Sequence, residues 1–165
     1  MHHYSLIVYS NPGGYNLFNS KIEIVKFSKK TYYGLKFLLA LTTGNDEVFF
    51  GIQQVSIGED IPMKFLEAIA VILKKAGMVE VKRGAGGGYR LSKPPREILL
   101  IDVVKALEDG YGKPLKESPN SHNEKAVITI LDKVLADFEI VMGKYNLADM
   151  KKVFDDLNDN LMYYI

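Results

Sequence analysis

Residues 81–92 read Val81-Lys-Arg-Gly-Ala-Gly-Gly-Gly-Tyr-Arg-Leu-Ser92, with four glycines in five positions between basic, β-prone flanks. Such a cluster cradles a phosphate, turns a tight hairpin, or lets the backbone come close to something large. A phosphate loop leads from a strand into a helix that opens on Lys-Ser or Lys-Thr. Here the glycines lead into Tyr89-Arg-Leu-Ser-Lys-Pro-Pro95, a β-prone run stopped by two prolines. No helix N-terminus is available to a nucleotide, and the dinucleotide pattern fails for the same reason. The hairpin fits, because glycine supplies the positive φ of a tight reversal. The spacing predicts strands over 78–83 and 88–92.

Three helices are predicted upstream. Ser28 is a candidate N-cap, and Tyr32, Leu35, Leu38, Leu39 and Thr42 recur at helical spacing behind it. Gly34 inside that helix costs roughly 1 kcal/mol against Ala, which predicts a close contact there. A short second helix is expected over 50–57, with Ile52 and Val55 turned inward and Gly58 closing it. The third is expected to open at Pro62, which suits a first helical turn, with Glu59 and Asp60 near the positive end of its dipole. Its predicted inward face is Phe65, Leu66, Ile69, Ile72, Leu73 and Ala76, and its outward face Lys64, Glu67, Ala68, Val71 and Lys75. Three helices followed by a glycine-tipped hairpin make a winged helix-turn-helix, whose third helix enters the major groove of DNA. The fold class expected is mainly α with a small β-hairpin.

Downstream, a helix is predicted over 100–108, then a Gly-, Pro- and Ser-rich loop. A long helix follows, with Val127, Ile130, Leu131, Val134, Phe138, Val141, Met142 and Tyr145 as its apolar stripe. A last helix is predicted over 147–157. The expected divisions are an N-terminal extension (1–26), the winged domain (27–110), a loop (111–122) and a helical dimerisation region (123–165). Residues 1–26 hold scattered turn residues and one alternating run at 22–25. Val25 is a candidate alternative start, and His2-His3 reads as incidental rather than as a metal site.

The net charge of +1 hides an asymmetry. Residues 26–96 hold 12 Lys/Arg against 6 Asp/Glu, whereas residues 97–165 hold 8 Lys against 13 Asp/Glu. A basic middle points to phosphate backbones, since each Lys or Arg on a phosphate releases a condensed counterion. With no cysteine in the chain, disulfides, thiolate metal sites and a cysteine nucleophile are all excluded. No metal or other cofactor is expected, no enzyme is indicated, and neither a membrane span nor a signal peptide is read. The expected location is the cytoplasm.

From Lys26 to Gly110 the chain closely resembles the Rrf-two family of winged-helix regulators, which includes IscR, NsrR and CymR. The most specific match is Leu73-x-x-Ala-Gly-Met-Val79 followed by Arg83-Gly-x-Gly-Gly-Gly-Tyr-x-Leu91 and Pro94-Pro95. The resemblance implies a homodimer held by the long helix from about Ser121 to Tyr145, bound to a near-palindromic operator. It places Pro62, Met63, Lys64 and Phe65 at the start of the reading helix. It also matches Glu67 to a base-discriminating glutamate and Arg83 to a minor-groove arginine of the wing. Phe65 is expected in the core, because its spacing matches Ile69 and Ile72. The chain departs from the best-known members, which hold an iron–sulfur cluster on three cysteines in the loop before the dimer helix. Here that loop has none, and His122 is expected to be an exposed residue near a helix start.

The leading reading is a dimeric, sequence-specific DNA-binding regulator, in the usual case a repressor. Lys64, Glu67 and Met63 are the candidate base readers. Lys29, Lys30, Lys36, Lys74, Lys75, Lys82 and Arg90 are candidates for phosphate contacts, and Gly84, Gly86 and Gly87 for close backbone approach. Double-stranded DNA, a second copy of the chain, and a small-molecule or protein effector are the candidate partners. The alternative is a winged-helix protein-interaction module that has lost DNA binding, suggested by Glu59, Asp60 and Glu67 around the reading helix and by the acidic C-terminal third.

Overall fold

The structure is a computed structural model that describes residues 27–44, 48–112 and 120–162, with side chains to residue 159. The predicted extension over 1–26, its 22–25 run and the His2-His3 pair lie outside the described residues.

Helix α1 (Lys29–Leu41) opens as the sequence predicts, with the Ser28 hydroxyl accepting the Thr31 N–H at 3.2 Å. Its buried face is Thr31, Gly34, Phe37, Leu38 and Leu41, while Tyr32 is 54% exposed. The expected stripe is therefore rotated by about one residue. The cause is Gly34, where an added Cβ would stand 2.2 Å from Leu107 Cδ1. The missing side chain lets α4 (Leu100–Leu107) settle against this face of α1.

Helix α2 (Ile52–Gly58) starts two residues later than expected. Phe50 is extended instead, and exchanges two backbone hydrogen bonds with Tyr89, at 2.8 and 2.9 Å. Val55 is buried as predicted, and Gly51 serves as a cap without a side-chain bond. Helix α3 (Met63–Lys75) buries Leu66, Ile69, Ala70 and Leu73. Two of its expected inward residues, Phe65 and Ala76, are exposed. Phe65 stands edge-on to the Tyr33 ring, 5.7 Å between centroids, at the rim of the domain rather than in its core. Glu59 and Asp60 do not enter the first turn of α3. Glu59 closes α2, and Asp60 takes a left-handed turn at φ 51°.

Strands β1 (Val79–Lys82) and β2 (Gly88–Leu91) pair antiparallel, with Glu80 opposite Arg90 and Lys82 opposite Gly88. A single 3₁₀ turn, Pro95–Glu97, leads to α4. One core joins Phe37, Leu38 and Leu41 to Leu66, Ile69 and Leu73, closed by Val103 and Leu107.

Helix α5 (His122–Met142) follows the loop, and α6 (Leu147–Met162) runs five residues beyond its predicted end. Leu147 is fully buried in the winged-domain core. Two backbone bonds clip it there, Leu147 N–H to the Ile98 carbonyl at 2.9 Å and Leu100 N–H to the Tyr145 carbonyl at 3.0 Å.

Candidate nucleic-acid interface

The side of α3 opposite the core is a crest open to solvent. Lys64, Ala68, Val71 and Lys75 follow at i, i+4, i+7 and i+11, so they line up along one edge of the helix. All four are exposed, and Val71 by 51%. Glu67 and Phe65 flank the crest on either side, both exposed, and Met63 is half-buried. Pro62 is the exposed N-cap residue. Thus Lys64 and Glu67, the expected base readers, are exposed at the first turns of α3.

The four glycines of the hairpin divide by cause. Gly84 and Gly86 have φ of 93° and 70°, and nothing lies within 4 Å of where a side chain would begin. They permit the turn and leave its tip bare. Gly87 is crowded by its own chain, since an added Cβ would stand 2.2 Å from the Lys82 carbonyl oxygen. At Gly88 the obstacle would be the Phe50 carbonyl oxygen, 2.3 Å away. So two glycines shape the tip and two let backbone pass backbone. Arg83 and Lys82 are exposed beside it. Lys82 Nζ lies 5.7 Å from the Phe49 ring centroid. Arg90, on the return strand, is half-buried, pairs with Glu80 across the hairpin and stacks on Phe49 at 4.6 Å.

The remaining candidate cations differ in freedom. Lys29, Lys74 and Lys75 are exposed. Lys30 pairs with Asp109 at 2.6 Å and Lys36 with Glu59 at 3.4 Å. Lys30 belongs to a clamp between the two ends of the winged domain. Glu108 accepts hydrogen bonds from the Thr31 hydroxyl at 2.6 Å and from Ser28 N–H at 2.9 Å. Burial pushes the Glu108 carboxyl up, but these bonds and the nearby Lys30 charge outweigh it, and the group titrates below its ordinary range.

Residues that sequence reasoning missed are apolar. Ile57 is 74% exposed at the end of α2, and Phe65 is 40% exposed beside the α3 crest. Ile57 had a readable signal, since it stands two places after the inward Val55 and so faces the other way. Phe65 had none, because its spacing matches the core.

On α5 no residue is buried. Of the expected stripe, Val127, Ile130, Leu131, Val134 and Val141 are exposed, and Phe138 and Met142 are half-buried. The Phe138 ring meets Phe27 at 6.4 Å, and Glu139 pairs with Lys105 of α4 at 2.8 Å. That bond holds the Lys105 ammonium above its usual range despite some desolvation. Ile140, 63% exposed, adds to the uncovered apolar surface. His122 is the exposed first residue of α5, as expected. Between α1, α4 and α6 lies an apolar cleft of about 460 Å³, lined by Leu39, Leu100, Met150, Val153, Phe154 and Leu157, with Tyr145 and Asp149 also on its wall.

Among the described residues no group of three or more His, Cys, Asp or Glu is placed to hold a metal ion, and no helix is long and apolar enough to cross a membrane.

Comparison with known proteins agrees with this geometry. A family model described as "Rrf2: Iron-dependent Transcriptional regulator" matches residues 27–152. The HTH-type transcriptional regulator IscR of Cereibacter sphaeroides is 37% identical over 89 residues, 52% of this chain and 56% of that protein. The chain thus spans little more than half the length of that relative. The solved structure of T. potens IscR is 28% identical, covers 81% of this chain and 90% of its own, and superposes with a TM-score of 0.64. CymR, the global cysteine regulator of B. subtilis, is 25% identical, covers 78% and 98%, and gives 0.63. The family and these relatives are regulators of transcription, not enzymes. The iron in the family's description finds no thiolate here. An iron–sulfur cluster depends on cysteine for most of its ligation, and the chain contains none.

Proposed function

The chain belongs to the Rrf2 family of winged-helix regulators, and from that premise we propose that it is a dimeric, sequence-specific DNA-binding repressor that works without an iron–sulfur cluster. The observation that carries this reading is the division of α3 into two sides. One side builds the core through Leu66, Ile69, Ala70 and Leu73, and the other offers an uncovered crest with Lys64 and Glu67 at its start. In this reading α3 lies in the major groove, with Lys64, Glu67 and Met63 at base edges. The wing reaches the adjacent minor groove, where Arg83 enters beside the bare tip of Gly84 and Gly86. Lys29, Lys74, Lys75 and Lys82 meet phosphates, which position the domain without reading sequence. Lys30 and Arg90 would first have to leave Asp109 and Glu80.

Helix α5 supports the dimer. Twenty-one residues with none buried present an apolar stripe that a second copy would cover. Two copies then place two reading helices on two half-sites. The apolar cleft between α1, α4 and α6 has the volume for a small-molecule effector, and the expected place of work is the cytoplasm.

Fluorescence anisotropy tests the reading. The full chain is titrated against duplex from upstream of its own gene and against a scrambled duplex, each at two salt concentrations. Tighter binding to the upstream DNA that survives the higher salt is the expected result. Weak, salt-insensitive behaviour on both duplexes would overturn it in favour of a protein-interaction module, because phosphate contacts always carry a salt dependence.

A further inference from the structure

We propose that the reading helix recognises its half-site chiefly through the 5-methyl groups of thymines, with Ala68 and Val71 as the residues that touch them and Phe65 as a third. The inference rests on the DNA-binding reading above and adds what that reading leaves open, the chemical class of base it selects.

Helix α3 is poor in hydrogen-bonding base readers. Adenine is read in the major groove by the paired donor and acceptor of Asn or Gln, and guanine best by Arg. The helix Met63–Lys75 contains none of these, and no Ser or Thr either. Its polar exposed residues are Lys64 and Glu67 at the start and Lys74 and Lys75 in the last turn. Lys64 suits the guanine O6 and N7 acceptors, and Glu67 the cytosine amino group. No side chain on the helix offers adenine a donor and an acceptor together. An A·T pair facing the middle of the crest is therefore distinguished by its thymine methyl, the one apolar group in the groove.

The middle of the crest is built for that contact. Ala68 and Val71 are short, exposed and apolar, and each is flanked along the crest by a lysine, Lys64 on one side and Lys75 on the other. The two cations match the charge of the groove's phosphate walls, and the apolar pair between them is exposed among the described residues. From Lys64 to Val71 the helix rises about 10.5 Å at 1.5 Å per residue, which is about three base-pair steps at 3.4 Å. One G·C pair near Lys64 and Glu67, followed by thymines over the next steps, is the half-site this surface fits. Phe65, 40% exposed and held by Tyr33, adds a rigid apolar edge beside the crest.

The experiment begins with selection of a duplex from a random pool by the full chain. Each thymine of the selected site is then replaced singly by deoxyuridine, which removes the methyl and keeps every hydrogen-bonding group. At two or more thymines per half-site the expected loss is about fourfold for each methyl removed, the factor that follows from burying one such group. The Val71→Ala variant, altered at an exposed position, is expected to lose the preference for thymine over deoxyuridine at one of those positions and keep it elsewhere. Deoxyuridine duplexes that bind as tightly as the thymine duplex would overturn the inference and leave the DNA-binding reading standing. A loss that is the same for wild type, Val71→Ala and Phe65→Ala would also overturn it, since the methyl would then act through DNA shape. A pool that yields no duplex bound above a scrambled control would remove the DNA-binding reading itself, and this inference with it.

Discussion

Helices α3 and α5 carry apolar residues at the same helical spacing and come to opposite ends. In 13 residues α3 buries four side chains, whereas α5 buries none in 21. The difference lies in their surroundings. Around α3 stand α1, α4 and β1, whose side chains close over Leu66, Ile69 and Leu73. Among the described residues, the contacts of α5 with its own chain include the Lys105–Glu139 ion pair and the Phe27–Phe138 ring contact, and none of its residues is buried by them. Periodicity says that a helix has an apolar side; it does not say who covers it. In proteins most helical stability comes from packing an amphipathic face rather than from propensity, so the uncovered stripe of α5 is the physical argument for a second copy.

That contrast breaks most sharply at Phe37. Truncation to Ala inside the core is expected to cost about 3–5 kcal/mol, read as a lowered midpoint in urea unfolding. If instead Phe37→Ala unfolded at the wild-type midpoint, the core described here would be wrong. Next comes the charge test on the other helix. Leu131→Asp places a carboxylate within the stripe, where pairing with a second copy would bury it at a cost of about 3 kcal/mol or more. Light scattering is expected to show a monomer whose winged domain still melts cooperatively. A variant that stays dimeric would locate the interface elsewhere.

Arg83→Ala sharpens the comparison from the DNA side. It is expected to leave the melting temperature unchanged, because the side chain is exposed beside a bare glycine tip. Operator binding should fall by about 1–3 kcal/mol, with a weaker preference for narrow A·T-rich minor grooves. Equal anisotropy curves for both proteins would remove the wing from the interface.

The smallest effect concerns the clamp between α1 and α4. Thr31→Val deletes the hydroxyl bond to Glu108 and is expected to cost about 1 kcal/mol. Acid should reveal the same bond. Because the folded Glu108 titrates below its unfolded value, its contribution is present above the ordinary carboxylate pKa and disappears as pH falls through the folded one. Thr31→Val should therefore lose less stability between neutral pH and pH 3 than the wild type. An identical acid profile would show that Glu108 gains nothing from Thr31.

Much of this was legible in the residues themselves. The glycine-tipped hairpin, the Ser28 cap, the close approach at Gly34 and the exposed His122 are local consequences of φ preference, capping chemistry and side-chain size. Family membership was legible too, in the run from Leu73 to Pro95. The errors were of another kind. Phe65 shares the spacing of Ile69 yet stands outside the core, and Phe50, with helical neighbours, pairs with Tyr89. The buried face of α1 turned by a residue because Leu107 fills the space at Gly34. Nor does any local signal say that Leu147, beyond the long helix, returns to the core of the winged domain. By itself the sequence determined the kinds of element, their order and the chemistry of the wing, since these depend on neighbours along the chain. Only the tertiary structure decided which apolar residues are covered, which lysines are already paired and which crest is left open, because burial depends on residues distant in sequence.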